Sequence, residues 1–148
     1  KPEETVGRIL KKLRITIGIA ESCTGGLLCN KITNVSGSSE YFRGGVVAYN
    51  NDLKKQILNV PKEILQKFGA VSKETAKAMA LGAKERLGGN IGIAITGIAG
   101  PTGGSKAKPL GTVFIAISCK ATEKDQRFLL RGSRQGIKLA ASNKALKM

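Results

Sequence analysis

Short apolar runs alternate with helix-period stretches along the whole chain, and this alternation constrains the fold more than any other feature. Runs at 15–20, 44–49, 90–96, 112–119 and 126–131 have the length of strands, and most are rich in Ile, Val and Ala. Helical patterns fill the intervals. Pro2 and Glu3-Glu4 open the first helix, and Val6, Ile9, Leu10 and Leu13 are spaced for one buried face. A second helix follows Gly26, with Leu27, Leu28 and Ile32 inward. Asn50-Asn51-Asp52 supplies the cap of a helix ending at Leu58, and residues 61–68 form another, stopped by Gly69. Ser72 caps the longest helix, Lys73–Leu87, whose inner stripe is Ala76, Met79, Ala80, Ala83 and Leu87, and Gly88-Gly89 ends it. Ser133 caps a last helix that runs to the C-terminus. Alternation of this kind predicts an α/β class: one three-layer domain over residues 1–148. The short turn at 120–125 predicts an antiparallel hairpin, so the sheet is expected to be mixed and mostly parallel.

Composition then narrows the chemistry. The chain contains no histidine, which excludes a Ser-His-Asp triad, a Cys-His dyad, an imidazole base and a His-ligated metal. Only 10 acids face 25 Lys and Arg, so paired-carboxylate catalysis and multi-carboxylate metal sites are not expected either. The expectation is a chain without metal or organic cofactor. Cys23, Cys29 and Cys119 form no C-x-x-C pair, which fits a reducing, cytoplasmic setting. No apolar stretch approaches the ~18 residues of a membrane span, and no membrane partner is expected. The start at Lys1 without Met is compatible with a trimmed chain or with one cut from a larger protein. A net charge of +15 fits either phosphate contacts with nucleic acid or a solvated surface. The positive residues are spread from Lys11 to Lys147 without a DNA- or RNA-binding motif. That favours the solvated surface and no specific nucleic acid, and a small anionic substrate suits both readings.

Three polar, glycine-rich segments follow predicted strands, where open α/β sheets place their ligands. The first is Glu21-Ser22-Cys23-Thr24-Gly25-Gly26, at a strand-to-helix junction whose backbone N–H groups can hold an anion; an ordinary tight turn is the competing reading. The second carries Ser38, Ser39, Tyr49 and Lys54. A serine nucleophile needs a base, and without histidine a lysine or tyrosine must serve. Spacing alone favours a cap serine, a core tyrosine and a surface lysine there. The third runs from Thr96 through Gly97, Gly100, Gly103 and Gly104 to Lys108-Pro109-Leu110-Gly111. A loop so long and glycine-rich is costly to order, which points to closure over a phosphate or ribose.

Taken together, these segments resemble the CinA C-terminal domain family. Ala20-Glu21-Ser22-Cys23-Thr24-Gly25-Gly26-Leu27-Leu28 is similar to its signature, and the rest follows in order: Tyr41-Phe42 through Gly45, Val47, Tyr49 and Asn51; Gly69-Ala70-Val71-Ser72; and Thr96-Gly97-Ile98-Ala99-Gly100-Pro101 with Gly103-Gly104. The resemblance covers nearly the whole chain. It implies a nicotinamide-nucleotide amidase, which converts nicotinamide mononucleotide to nicotinate mononucleotide and ammonia. It also implies a homodimer or larger homo-oligomer, and in longer members a preceding domain that cleaves ADP-ribose-type pyrophosphates. Carried over by motif, Ser39 is the nucleophile, and Tyr49 and Lys54 relay its proton. Ser22 and Thr96 line the pocket and hold the amide or base. Thr24, Gly25 and Gly26 bind substrate, and the loop glycines hold the ribose phosphate with Arg134 and Lys138. The chain departs from the family near its end, where Gly132-Ser133-Arg134 stands for Gly-Asp-Arg and Lys138 for a second arginine. Lysine contacts phosphate as a point charge and lacks the guanidinium fork.

Two rivals follow from the same residues. Cys23, at the strand–helix junction, is an alternative nucleophile for the same reaction. A non-catalytic nucleotide- or DNA-associated module draws on the positive charge alone.

Overall fold

The computed structural model describes all of residues 1–148. Its elements are α1 (Pro2–Leu13), β1 (Ile17–Glu21), α2 (Leu27–Thr33), a short 3-10 turn (Ser38–Glu40), β2 (Phe42–Val47), α3 (Asn51–Leu58), α4 (Lys62–Phe68), α5 (Lys73–Leu87), β3 (Ile91–Gly97), β4 (Thr112–Cys119), β5 (Glu123–Leu129) and α6 (Arg134–Ala145). The five strands form one sheet in the order β2-β1-β3-β4-β5. β1 pairs in parallel with both β2 and β3, while β4 is antiparallel to its neighbours β3 and β5. Four strands therefore point one way and β4 alone runs back, and the α/β mixed sheet expected from the sequence is present.

Helices cover both faces of the sheet. On one side α1, α2 and α6 pack over Ile17, Ile19, Ile95, Val113 and Ile115. On the other, α5 lays Ala76, Met79, Ala80 and Ala83 against Ala20, Ala94 and Ala116. Small residues let α5 approach closely: a Cβ on Gly92 would collide with the Ala80 carbonyl, and one on Gly82 with the Leu58 carbonyl. The caps form as their residue types require. Asn50 accepts from Leu53 N–H at 2.9 Å, and Ser72 and Ser133 accept from Thr75 and Gly136 N–H, each at 3.1 Å.

Three local expectations need correction. Ile9 and Leu13 are 49% and 58% exposed, because α1 packs chiefly against α2 and turns Glu3, Gly7 and Leu10, with part of Val6, inward. β5 starts at Glu123, three residues earlier than expected, since antiparallel pairing with β4 sets its register and not its charged, exposed side chains. β1 begins at Ile17 and extends to Glu21, a carboxylate that is buried for the reason given below.

The topology fixes where a cleft can open. From β1 the chain crosses by α2 on one face to β2, then returns by α3, α4 and α5 on the other face to β3, on the far side of β1. The strand order thus reverses at β1. A crevice forms beyond the carboxyl end of such a strand because the flanking connections leave on opposite faces. Ser22 is the first residue beyond that end.

Candidate active site

A cleft of about 270 Å³ opens at this reversal. Ser22 and Cys23 from the β1–α2 turn, Tyr49 and Lys54 from the end of β2 and α3, Thr96–Gly100 from the end of β3, and Arg134 from α6 line it. Ala70 and Val71 form one wall.

At its floor lies a buried amine. Lys54 is only 1% exposed. Its Nζ donates to the Ala48 carbonyl at 2.9 Å, the Tyr49 carbonyl at 3.3 Å and the Ser22 hydroxyl at 3.2 Å. No carboxylate comes within ion-pair distance of it. Burial without a counter-charge disfavours the ammonium, and holds the Lys54 pKa below the usual lysine range. When neutral, the amine presents a lone pair, and the Ser22 O–H is a donor within its reach.

The turn that carries Ser22 is held rigidly from below. Gly26 stands at the N-cap of α2 and has no side chain with which to cap the helix. The fully buried Glu21 carboxylate does so instead, accepting from the N–H groups of Gly26 and Leu28 at 3.1 Å and of Cys29 at 2.7 Å. This overturns part of the expected anion cradle. Gly26 N–H is taken by Glu21 and Gly25 N–H by the Ser22 carbonyl, so both glycines serve the positive-φ turn instead. Thr24 is fully buried with its hydroxyl unpaired, and is not among the cleft-lining residues.

The other site residues divide by position. Tyr49 is 57% exposed at the rim, and its hydroxyl accepts from the Arg134 guanidinium at 2.8 Å. Arg134 also donates to the Gly100 carbonyl at 2.6 Å, so one side chain ties α6, the glycine-rich loop and the end of β2 together. The Thr96 hydroxyl is committed to the Ala70 carbonyl at 2.7 Å, which makes it a brace for the wall. Gly97, Gly100 and Gly103 line the cleft; Gly104 packs on Leu110 instead. Lys138 reaches toward the turn, its Nζ 3.5 Å from where a Cβ on Gly25 would stand.

Ser39 is the clear departure. It sits exposed in the 3-10 turn before β2, whereas Tyr49 and Lys54 lie after that strand. Six residues of strand at about 3.3 Å each separate them by roughly 20 Å. Ser22, read from the motif only as a pocket-lining residue, is the serine that meets Lys54. Its sequence signal was its place directly after a buried strand.

Cys23 also borders the cleft but is 6% exposed, and burial first, then the nearby Glu21 charge, pushes its thiol pKa up to about 11. It is held as a neutral thiol, contrary to what a thiolate nucleophile requires.

Fold and cleft together define a class: a mixed α/β domain with a buried serine–lysine pair at the strand reversal. A family model, the CinA C-terminal domain, matches residues 1–148, and the chain belongs to that family. It is 47% identical over 150 residues to a CinA-like protein of Chlorobium limicola, covering 98% of this chain and 35% of the relative. It is 46% identical over 144 residues to a CinA-like protein of Geotalea daltonii, covering 97% of this chain and 35% of the relative. The chain thus spans about a third of the length of these curated relatives. Among solved structures, a competence/damage inducible protein of Agrobacterium tumefaciens superposes with a TM-score of 0.94 at 38% identity, over 99% of this chain and 93% of that one. A CinA superfamily protein of Escherichia coli gives 0.95 at 31% identity, over 99% and 85%.

Proposed function

We propose that this chain is an amidase that hydrolyses the carboxamide of nicotinamide mononucleotide, giving nicotinate mononucleotide and ammonia, with Ser22 as nucleophile and Lys54 as base. The observation that carries this reading is the 3.2 Å contact between a buried, unpaired lysine amine and a serine hydroxyl in a cleft at the strand reversal. Neutral Lys54 takes the Ser22 proton as Oγ bonds to the carboxamide carbon. The carbonyl oxygen becomes an oxyanion. Within the Ser22–Gly26 turn, the Thr24 N–H donates to no backbone carbonyl and is the donor available to it. Collapse breaks the C–N bond, and the leaving nitrogen departs as ammonia with the proton that Lys54 returns. Water, deprotonated by the same amine, then cleaves the acyl-serine ester to the carboxylate.

The substrate class rests on the family resemblance together with the charge at the rim. Arg134 and Lys138, four residues apart on α6, offer cations to a phosphate beside the glycine-rich loop. The Tyr49 hydroxyl takes its hydrogen bond from Arg134 and keeps its own O–H free to donate toward the leaving group. The proposal extends to context: a cytoplasmic setting consistent with three free thiols, association with further copies, and, in longer chains, a pyrophosphate-cleaving domain ahead of this one.

The test is ammonia release. The mononucleotide should be hydrolysed much faster than nicotinamide or its riboside. Ser22→Ala should abolish turnover while Ser39→Ala retains it. Equal rates on the three amides would remove the phosphate from the reading, and an active Ser22→Ala chain would remove the nucleophile.

A further inference from the structure

A second hollow, of about 360 Å³, lies behind the wall of the cleft. The segment joining α4 to α5 separates the two: Ala70 and Val71 face the cleft, while Phe68 and Ser72 border the hollow. Its volume falls within the range of small-molecule sites, about 300–1,000 Å³. Lys67, Lys73 and Lys108 surround it, with Glu74 as the one acid, and none of these lysines makes an ion pair. Two aromatic rings, Phe68 and Phe114, complete the lining. Each already carries a cation: Lys67 Nζ is 5.3 Å from the Phe68 ring centre, and the Arg127 guanidinium is 5.7 Å from that of Phe114.

We propose that this hollow binds a nucleotide-type ligand, a phosphate ester joined to a flat ring. The argument has two parts. Lysine amines that share a concave surface without carboxylate partners repel one another, and a phosphate placed among them turns that repulsion into charge-assisted hydrogen bonds. A flat heterocycle offers a π face to the half-buried Phe68 ring and the Lys67 amine beside it, which a bare anion cannot use. The site is distinct from the cleft but linked to it. Lys108 donates to the Phe68 carbonyl at 2.7 Å, a contact that fastens the glycine-rich loop to the end of α4. The binding claim does not depend on the amidase reading.

The experiment is calorimetric titration of the full chain at ~0.15 M salt, with adenosine monophosphate, inorganic phosphate and adenosine as separate probes. The monophosphate should bind at least about tenfold more tightly than either fragment. A chain carrying Lys67→Ala and Lys73→Ala should bind it at least about tenfold more weakly, and Lys144→Ala, on α6, should leave it unchanged. Lys67 and Lys73 are exposed, so a matching thermal unfolding midpoint checks that the double variant folds. Equal affinity for monophosphate and inorganic phosphate would reduce the hollow to general charge and overturn the proposal. So would the absence of binding at millimolar monophosphate, or undiminished binding by the double variant, which would place the ligand in the catalytic cleft.

Discussion

An amine held out of water with no carboxylate beside it is a poor cation, and Lys54 is in that position. Its folded pKa lies below its unfolded value of about 10.4. Between the two values the unfolded chain binds more protons than the folded one, so stability rises with pH through that window and is lost as pH falls. Urea unfolding across a pH series should therefore show the wild type gaining stability with pH relative to Lys54→Met. A pH-independent difference would mean that the lysine titrates alike in both states. The same titration should appear as the acid limb of kcat/KM, with turnover falling as the amine is protonated. Cys23 tests the opposite property. Its thiol pKa of about 11 leaves almost no thiolate at neutral pH. Iodoacetamide at pH 7 should leave turnover nearly intact, and rapid inactivation tracking modification of Cys23 would return the cysteine to the reaction.

Between residue and sheet, the informative element is the β1–α2 turn. Glu21 receives hydrogen bonds from three backbone N–H groups at the start of α2, those of Gly26, Leu28 and Cys29, and bonds to a charged group contribute about 1.5–3 kcal/mol each, less than additively. Glu21→Gln keeps one acceptor and presents an NH2 to the other donors, so denaturant unfolding should show a loss of at least ~1.5 kcal/mol. Turnover should fall with it, because the turn carries Ser22. Gly92→Ala tests the sheet: with the Ala80 carbonyl in the way, α5 must shift, at about 1–3 kcal/mol or more. What was legible in the sequence follows the same division. α5 was readable to its ends because cap, inner stripe and terminal glycine are all local signals at Ser72, Ala76–Ala83 and Gly88. β4 was readable as a buried, β-branched run. β5 was misplaced because its bounds come from pairing with β4, which no property of residues 123–125 announces. The candidate site divides likewise. The three segments were visible as glycine-rich stretches after strands, but the Ser22–Lys54 contact spans 32 residues and exists only through the parallel register of β1 and β2. Ser39 stands close to Tyr49 in sequence, and a strand between them puts them at opposite ends of the sheet.

At the scale of the whole molecule the dominant fact is +15, and the fold decides how much of it can act on a partner. Lys54 is internal, while Lys11, Lys31, Lys55 and Lys77 sit in ion pairs with Glu40, Glu3, Asp52 and Glu123. The remaining cations are distributed over helices on both faces and the β5 edge, and no helix-turn-helix or aromatic-faced sheet gathers them into one groove. A duplex resting on any one side would meet only a few of them. If about three phosphates are neutralised, the slope of log K against log salt is about −0.9 per phosphate, and affinity should fall roughly 40-fold between 50 and 200 mM salt. Fluorescence anisotropy with two labelled duplexes of unrelated sequence measures this directly. The expected result is weak binding, equal for both sequences, that disappears near physiological salt. A much steeper slope, or clear preference for one duplex at 200 mM, would require a contiguous phosphate-tracking surface and base contacts that this distribution of charge does not provide.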